Sequence, residues 1–333
     1  MLIMDLVIKP YTSDMESIWD TFIDAAINGT FLQSRRFLSY HGEKFIDSSL
    51  MFYLKDKLIC ICPACTIIEN EQKSFWAHKG STFGGLIFAA GEYKAEKVIE
   101  IIKLLKQYLY ENNYSEAYLK ITADLFSLKS SDLLEYCLWY EGFNSYRELS
   151  TYSVLTDCTE DLAASFSRTY RRYRNRWMDV GAQFLELDSI DKISDFYDIL
   201  VENLQIYNAK PIHSVDELID LKFNRIPEET VFYGTYLDGK IVAGCLLFKF
   251  FPVKTIHMQY VATAQNLEYD LPSPTAFTYF SMLEVTRKLG FNRISWGTSN
   301  FEMGRVLNES LIRFKESLSD YHSQNKIYHW KRG

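Results

Sequence analysis

The sequence predicts a mixed α/β fold, a sheet flanked by helices, built twice along one chain. Three observations carry this. The order of strand-like and helix-like segments repeats at an offset of about 180 residues, which is a whole-domain duplication and not a solenoid period. Apolar residues alternate with period two in the short runs and recur with helical period in the longer ones. Of the 333 residues, 47% are hydrophobic and 24% charged, an ordinary globular composition with apolar material for two cores.

In the first copy, "LVIKPYT" reads as a strand. Ser13 and Glu16 have capping-box spacing at the head of "SDMESIWDTFIDAAI", which predicts a helix. "TFLQSRRFLSYHG" predicts a second, shorter helix. "SLMFYLKDKLICICPACTII" predicts a hairpin turning near Lys55-Asp56, and "SFWAH" a further strand. "EYKAEKVIEIIKLLKQYLYENN" is a strongly periodic helix; "SEAYLKI" a strand, "DLLEYCLWYEGF" a helix and "STYSVL" a strand follow. This copy is expected to span residues 1–152.

The second copy, 153–333, opens with a basic linker helix over 161–180, within "DLAASFSRTYRRYRNRWMDVG". "AQFLELDS" predicts a strand and "IDKISDFYDILVENLQIYNA" a helix. In "HSVDELIDLKFN", Ser214 and Glu217 again have capping-box register. "TVFYGTYLDGKIVAGCLLFKFF" is a hairpin with Asp238-Gly239 at its turn. "TIHMQYVAT" is a strand. "SPTAFTYFSMLEVTRKLG" is a helix with Ser273 as N-cap, Pro274 at its first position and Gly290 as its stop. "FNRISWGT" is a strand, "RVLNESLIRFKESL" a helix and "KIYHWK" a last strand.

A formal net charge of −7 argues against a dedicated binder of duplex DNA. The first residues carry no cationic stretch before an apolar run, and no segment reaches the roughly 18 apolar residues of a membrane span, so a cytoplasmic location is expected. Cys60, Cys62 and Cys65 cluster, but not with the spacing of a zinc knuckle; buried free thiols and no metal are expected.

The element order is similar to that of the GNAT acyltransferase fold, and two such domains in tandem resemble the Fem-type transferases that build peptidoglycan bridges. "NGTFLQSRRFLSYH", "DSSLMFYLKDKLICICPA" and "HKGSTFGGLIF" resemble the amino-terminal half of that superfamily. "IHMQYVAT", "ISWGTSN" and "LNESLIRFKESL" resemble its carboxy-terminal half. The resemblance implies transfer of an acyl or aminoacyl group to an amine, with an acyl-CoA or an aminoacyl-tRNA as donor and no metal. The expected activity is N-acyl transfer from acyl-CoA to an amine of a sugar or cell-envelope precursor. An aminoacyl-tRNA-dependent aminoacyltransferase and a non-catalytic tandem scaffold are the alternatives. The partners expected are therefore a small-molecule or glycan-precursor substrate and, on the second reading, transfer RNA. Acetyl-CoA enzymes usually carry a glycine-rich pyrophosphate loop after the fourth strand, whereas "ATAQNLEYDLPSPTAF" has no glycine.

Acyl transfer needs an acceptor for the amine proton, donors for the oxyanion and a cradle for an anionic carrier. His257, in the strand that the GNAT resemblance implies lines the acyl cleft, is the titratable candidate for the proton. Lys315 matches the superfamily lysine and offers a point charge; a solvated surface lysine is the plain alternative. Main-chain groups of Val261 and Ala262, with Ser273, Thr275 and Ala276 at a helix N-terminus, are candidates for holding the carrier. Strict alternation along "TIHMQYVAT" would put His257, Gln259 and Val261 on one face and Met258 and Tyr260 on the other. Arg171 and Arg172 of the linker helix suit phosphates. Arg35, Arg36 and His41, beside Gly84 and Gly85, are candidates for the acceptor pocket. His213 could bind substrate or staple a helix start. Ser299 and Asn308 could touch the ligand, or Ser299 and Glu302 could form a capping box.

Overall fold

A computed structural model describes residues 5–79, 81–155, 161–164, 166–206, 208–265, 267–319 and 321–333, the side chains of His41 and Glu43 apart. The chain divides into two compact units. The first holds Met1–Leu149 with Asn300–Val306 and Ser323–Gly333; the second holds Ser150–Ser299 and Leu307–His322. A single cut at residue 152 therefore misses two returns of the chain to the first unit. The last of these pairs strand residues Ile327–Lys331 with Glu116–Lys120.

In the first unit the elements run β1 (Leu6–Pro10), α1 (Glu16–Ala25), α2 (Arg35–Leu38), β2 (Ile46–Asp47), β3 (Leu50–Leu54), β4 (Lys57–Cys62), β5 (Cys65–Glu69), β6 (Gln72–Ala77), β7 (Ile87–Phe88), α3 (Ala95–Glu111), β8 (Glu116–Lys120), α4 (Asp132–Tyr140) and the start of β9 (Asn144–Val154). Pro63 splits the expected hairpin and further strand, a three-strand meander, into two pairings, because proline donates nothing to a ladder. β4 pairs with β3 and β7, while β5 pairs with β6 and β2. The stripe Val98, Ile101, Ile102, Leu105, Leu109 of α3 packs with Leu134, Cys137 and Leu138 of α4 over Phe75, Ala117, Leu119 and Trp330. Cys60 and Cys62 are fully buried in this core. On the other face of β3 and β4, Trp19 and Ile23 of α1 cover Met51 and Ile61.

Two expectations fail here for local reasons. Ser13 forms no capping box; a 3-10 turn over Ser13–Met15 precedes α1, and Thr12 bonds Asp14 instead. The second helix is not continuous. Thr30 and Gln33 cap a 3-10 turn, and Ser34 then caps the four-residue α2.

In the second unit, α5 (Arg168–Asp179) starts at Ser167, whose Oγ accepts from Tyr170 N, so the linker helix is shorter than 161–180. Then come β10 (Gln183–Glu186), α6 (Ile190–Gln205), α7 (Val215–Asp220), β11 (Thr230–Leu237), β12 (Lys240–Phe250), β13 (Thr255–Thr263), α8 (Thr275–Lys288) and β14 (Arg293–Thr298). After β15 (Asn300–Phe301) and β16 (Val306–Leu307), which lie on and end the chain's first return to the first unit, α9 (Glu309–Glu316) belongs to the second unit, and most of β17 (Tyr321–Lys331) lies on the last return to the first. The sheet order is β10-β11-β12-β13-β14-β9. The Ser214–Glu217 capping box forms as expected. α8 is buried nearly all round and starts at Thr275, with Pro274 as N-cap and Ser273 Oγ bonded to Thr275. α9 starts four residues later than the sequence suggests, because Asn308 and not Ser299 is its cap. Residues 300–307 form the β15–β16 hairpin, so the Ser299–Glu302 capping box is absent.

Gly84 packs against backbone. A Cβ there would lie 2.2 Å from the carbonyl of Ala77. Gly84→Ala should therefore destabilise the protein by more than about 2 kcal/mol, in the range of overpacked buried sites. Chemical denaturation measures this, and an unchanged midpoint would show that the backbone can retreat.

Candidate functional site

In the second unit, β13 and β14 run parallel, and their pairing stops early. The register is Thr255↔Arg293, Ile256↔Ile294 and His257↔Ser295, with no pair beyond it. β13 continues to Thr263 and β14 to Thr298 without each other. On its other side, β13 carries a bulge: Leu246 faces Tyr260 and Leu247 faces Met258, which leaves Gln259 extra. The alternation expected along this strand is thus broken at Gln259. Met258 and Val261 both pack toward one apolar cluster with Tyr279, Trp296 and Phe314. The two strands diverge, and main-chain groups past Met258 have no ladder partner from β14.

The first unit has the same parallel pair, β6 with β8, but there the end is closed. Pairing runs from Ser74↔Glu116 to Ala77↔Leu119. A bridge between Gly84 and Ile121 extends it, with Gly84 N donating to Lys120 O at 2.7 Å. Gly84 and Gly85 are therefore a plug at a strand end and not an open acceptor pocket. Gly85 adopts φ +76°, close over Ile121, which accounts for the second glycine.

At the divergence in the second unit stand Lys315, His257, Ser295 and Gly297. Lys315 is only 3% exposed. Its Nζ donates to the carbonyls of Gly297 (3.0 Å) and Thr298 (2.7 Å), and no carboxylate pairs with it among the described residues. Burial lowers its pKa to about 7. Neither a solvated surface lysine nor a cation reaching out to a phosphate describes this side chain. His257 is buried, and its Nδ1 lies 3.3 Å from Ser295 Oγ, which also accepts from Gly297 N. Gly297 has φ +74°. A Cβ on it would sit 3.8 Å from His257 Cε1 and 4.0 Å from Lys315 Nζ, so both titratable side chains converge on one bare backbone position.

α9 is lashed to the strand end at three successive carbonyls. Lys315 takes those of Gly297 and Thr298, and Asn308 N donates to Ser299 O at 2.9 Å. The Asn308 side chain caps α9 through Leu311 N. Ser299 is fully buried, and its hydroxyl has no hydrogen-bond partner among the described residues.

The other residues singled out in the sequence fall elsewhere. Val261 and Ala262 lie on β13 opposite Cys245 and Gly244. Ser273, Thr275 and Ala276 open α8, where Ala276 is buried and Ser273 exposed. The stretch before α8 is pinned by α5. Trp177 Nε1 donates to Pro272 O at 2.8 Å, Arg176 to Asp270 O, and Leu267, Tyr269 and Leu271 pack around Trp177. Half of the arginine helix is thus structural. Arg168, Arg171 and Arg172 are exposed and form no ion pair among the described residues; Arg172 lies over Tyr173. His213 is buried against Tyr260, with Nδ1 2.7 Å from its hydroxyl. In the first unit, Arg35 is buried between the rings of Tyr11 and Trp19 and paired to Asp47, which makes it a core cation and not a free substrate ligand. Arg36 pairs with Asp24 and Asp20. The His41 side chain lies outside the described residues.

Gly297, Ser295 and Tyr260 were not expected here. The one available signal was Gly297 inside "ISWGTS", since glycine within a strand marks a kink or close backbone approach. Among the described residues no helix is long and apolar enough to cross a membrane.

No family model matches the chain, and no curated protein matches it in sequence. Solved structures match it in fold. FemX superposes with a TM-score of 0.69 at 11% identity, over 97% of this chain and 96% of FemX. A tandem GNAT protein from the clavulanic acid biosynthesis pathway gives 0.58 at 7% identity, over 98% and 99%. The C-terminal domain of a putative lysylphosphatidylglycerol synthetase from Agrobacterium fabrum gives 0.55 at 13%, over 83% and 82%. The chain therefore has the tandem GNAT fold that the sequence led us to expect.

The depressed Lys315 pKa makes a stability prediction. Between pH 7 and 10.5 the unfolded chain holds a proton that native Lys315 has shed, so stability rises with pH across that window. Relative to Lys315→Met, the native protein should gain on the order of 3 kcal/mol between pH 7 and 9.5. Urea denaturation at several pH values checks this; parallel profiles for the two proteins would contradict a buried, uncompensated ammonium.

Proposed function

We propose that the second unit is an N-acyltransferase site. It would pass an acyl group from acyl-CoA to an amine of a sugar or cell-envelope precursor. The observation that carries this reading is Lys315: buried, unpaired with any acid among the described residues, and aimed at the strand divergence of a GNAT fold. A neutral lysine has two N–H bonds and one lone pair. The carbonyls of Gly297 and Thr298 take the two N–H bonds, which leaves the lone pair as the remaining vertex of the amine. A pKa near 7 keeps much of it unprotonated at neutral pH.

The steps follow from that geometry. The acceptor amine attacks the acyl carbonyl, and a carbon–nitrogen bond forms as the carbonyl π electrons move to oxygen. On the diverging part of β13, beside Ala262, the Val261 N–H points to the side that β14 has left and would receive that oxyanion. Lys315 Nζ takes the amine proton. Collapse of the intermediate breaks the carbon–sulfur bond, and Lys315 returns the proton to the leaving thiolate. His257, held by Ser295, forms the neighbouring wall and shapes the approach to Gly297.

One observation favours a second reading, an aminoacyl-tRNA donor. Arg168, Arg171 and Arg172 are exposed on one face of α5 and form no ion pair among the described residues, and Tyr170 of that helix packs edge-on against Phe314, the neighbour of Lys315. The stretch before α8 also lacks glycine and is pinned by Trp177. On this reading the bond broken is a carbon–oxygen ester bond, and the lysine does the same work.

Lys315→Met should lower kcat by ~100-fold or more while His257→Gln lowers it by less than ~10-fold. Equal losses in the two variants would move the proton acceptor to the histidine. Coenzyme A should raise the melting temperature on the first reading. On the second it should not, and a short RNA should bind with an affinity that falls steeply with salt, a slope that Arg171→Ala with Arg172→Ala would flatten. A protein that responds to neither ligand would sink both readings.

A further inference from the structure

The polar cluster around Tyr260 lies on the diverging part of β13 and is not used by the chemistry above. Tyr260 is the residue immediately after the bulge at Gln259, three past the last residue that pairs with β14. Its hydroxyl lies 2.7 Å from His213 Nδ1, and the two rings meet edge to face at 5.7 Å. Burial pushes the phenol up to about 12, against hydrogen bonds from the backbone of His213 and Ile212 and from the Gln259 side chain. A second phenol, Tyr197 of α6, donates to His213 O at 3.1 Å. One residue on, Ser214 and Glu217 cap α7. The Tyr260 phenol oxygen thus ties the turn leading into α7 to the bulged strand, while Ile212 beside it is 64% exposed.

The bulge is what makes the tie possible. Without the extra residue, Tyr260 and Met258 would share a face, and Met258 packs into the apolar cluster on the Tyr279 and Trp296 side. With it, Tyr260 takes the other face and meets the turn from α6 to α7. The Ile212–Ser214 turn is thereby tied to β13 beyond the point where pairing with β14 stops.

Resting on the transferase reading, we propose that Tyr260 is a positioning residue for the acyl acceptor: its hydroxyl, through His213, fixes the Ile212–Ser214 turn as the wall against which the incoming amine is oriented. The residue takes no part in proton transfer. Its loss should loosen that wall and weaken acceptor binding while leaving turnover of bound acceptor near its native rate.

The test uses the full chain and Tyr260→Phe, which keeps the ring and removes the hydroxyl, with His213→Asn as a second variant that keeps the turn polar. Amide hydrogen exchange in Ser214–Leu218 should accelerate at least tenfold in both, with β11 and β12 unchanged. With acetyl-CoA and glucosamine as probes, Tyr260→Phe should raise KM for glucosamine at least fivefold with kcat within threefold. Native exchange rates in both variants overturn the tie. Faster exchange with unchanged KM, or with a fall confined to kcat, overturns the positioning role. Absence of acetyl transfer by the unsubstituted protein counts against this donor and acceptor pair, and the exchange measurement then decides the tie by itself.

Discussion

The second unit depends on a buried ammonium group held by two main-chain carbonyls. Gly297 and Thr298 end a strand whose pairing with β13 has already stopped. Lys315 of α9 donates to both carbonyls, across the β15–β16 hairpin in sequence. That single side chain fixes the strand end, the orientation of α9 and the corner of the opening. The cost is electrostatic, since a cation without a counterion in an apolar setting gives up its proton readily. The same desolvation that weakens the fold near neutral pH makes the nitrogen useful as a base. Stability and chemistry pull on one pKa in opposite directions.

The two units show how a duplicated design can specialise. Both place a parallel strand pair at the sheet's turning point. In the first unit the pair is sealed by Gly84 and Gly85, whose backbone bridges to Ile121 and whose missing side chains let it lie on Ala77. Among the described residues of the second unit no segment does this, and β13 is bulged at the same stage. A glycine pair in one copy and a bulge in the other decide which strand end stays open. The arginines divide in a parallel way. Arg35 is spent inside the first unit, between two aromatic rings and an aspartate. Arg168, Arg171 and Arg172 remain on the surface of the second.

How much of this was legible follows from the range of each interaction. Element order, the α3 stripe, the Asp238-Gly239 turn and the Ser214 cap are set by residues within a turn or two of one another, so spacing alone revealed them. The fold class followed because the order repeats. The cap at Ser13 failed because Thr12 and Asp14 compete for the same turn. The start of α9 failed because Ser299 and Asn308 are both good caps, and only the β15–β16 hairpin decides between them. The split of the first unit's meander at Pro63 was visible in principle, since proline interrupts a ladder.

The site was legible residue by residue but not as an arrangement. Lys315 and His257 stood out by type and by resemblance, yet their convergence depends on Gly297 turning to positive φ, 18 residues before the lysine and 40 after the histidine in the chain. Burial of a lysine cannot be read from its own segment. "LIRFKESL" is amphipathic in a way that suits a surface helix, and the carbonyls that receive Nζ belong to another element. The bulge at Gln259 is equally silent, because a period-two pattern gives no sign of the one residue that breaks it. What the sequence withheld is the long-range geometry that gathers ordinary residue types at the corner proposed as the site. That geometry comes from where strand pairing stops, a property of two strands at once and of neither alone.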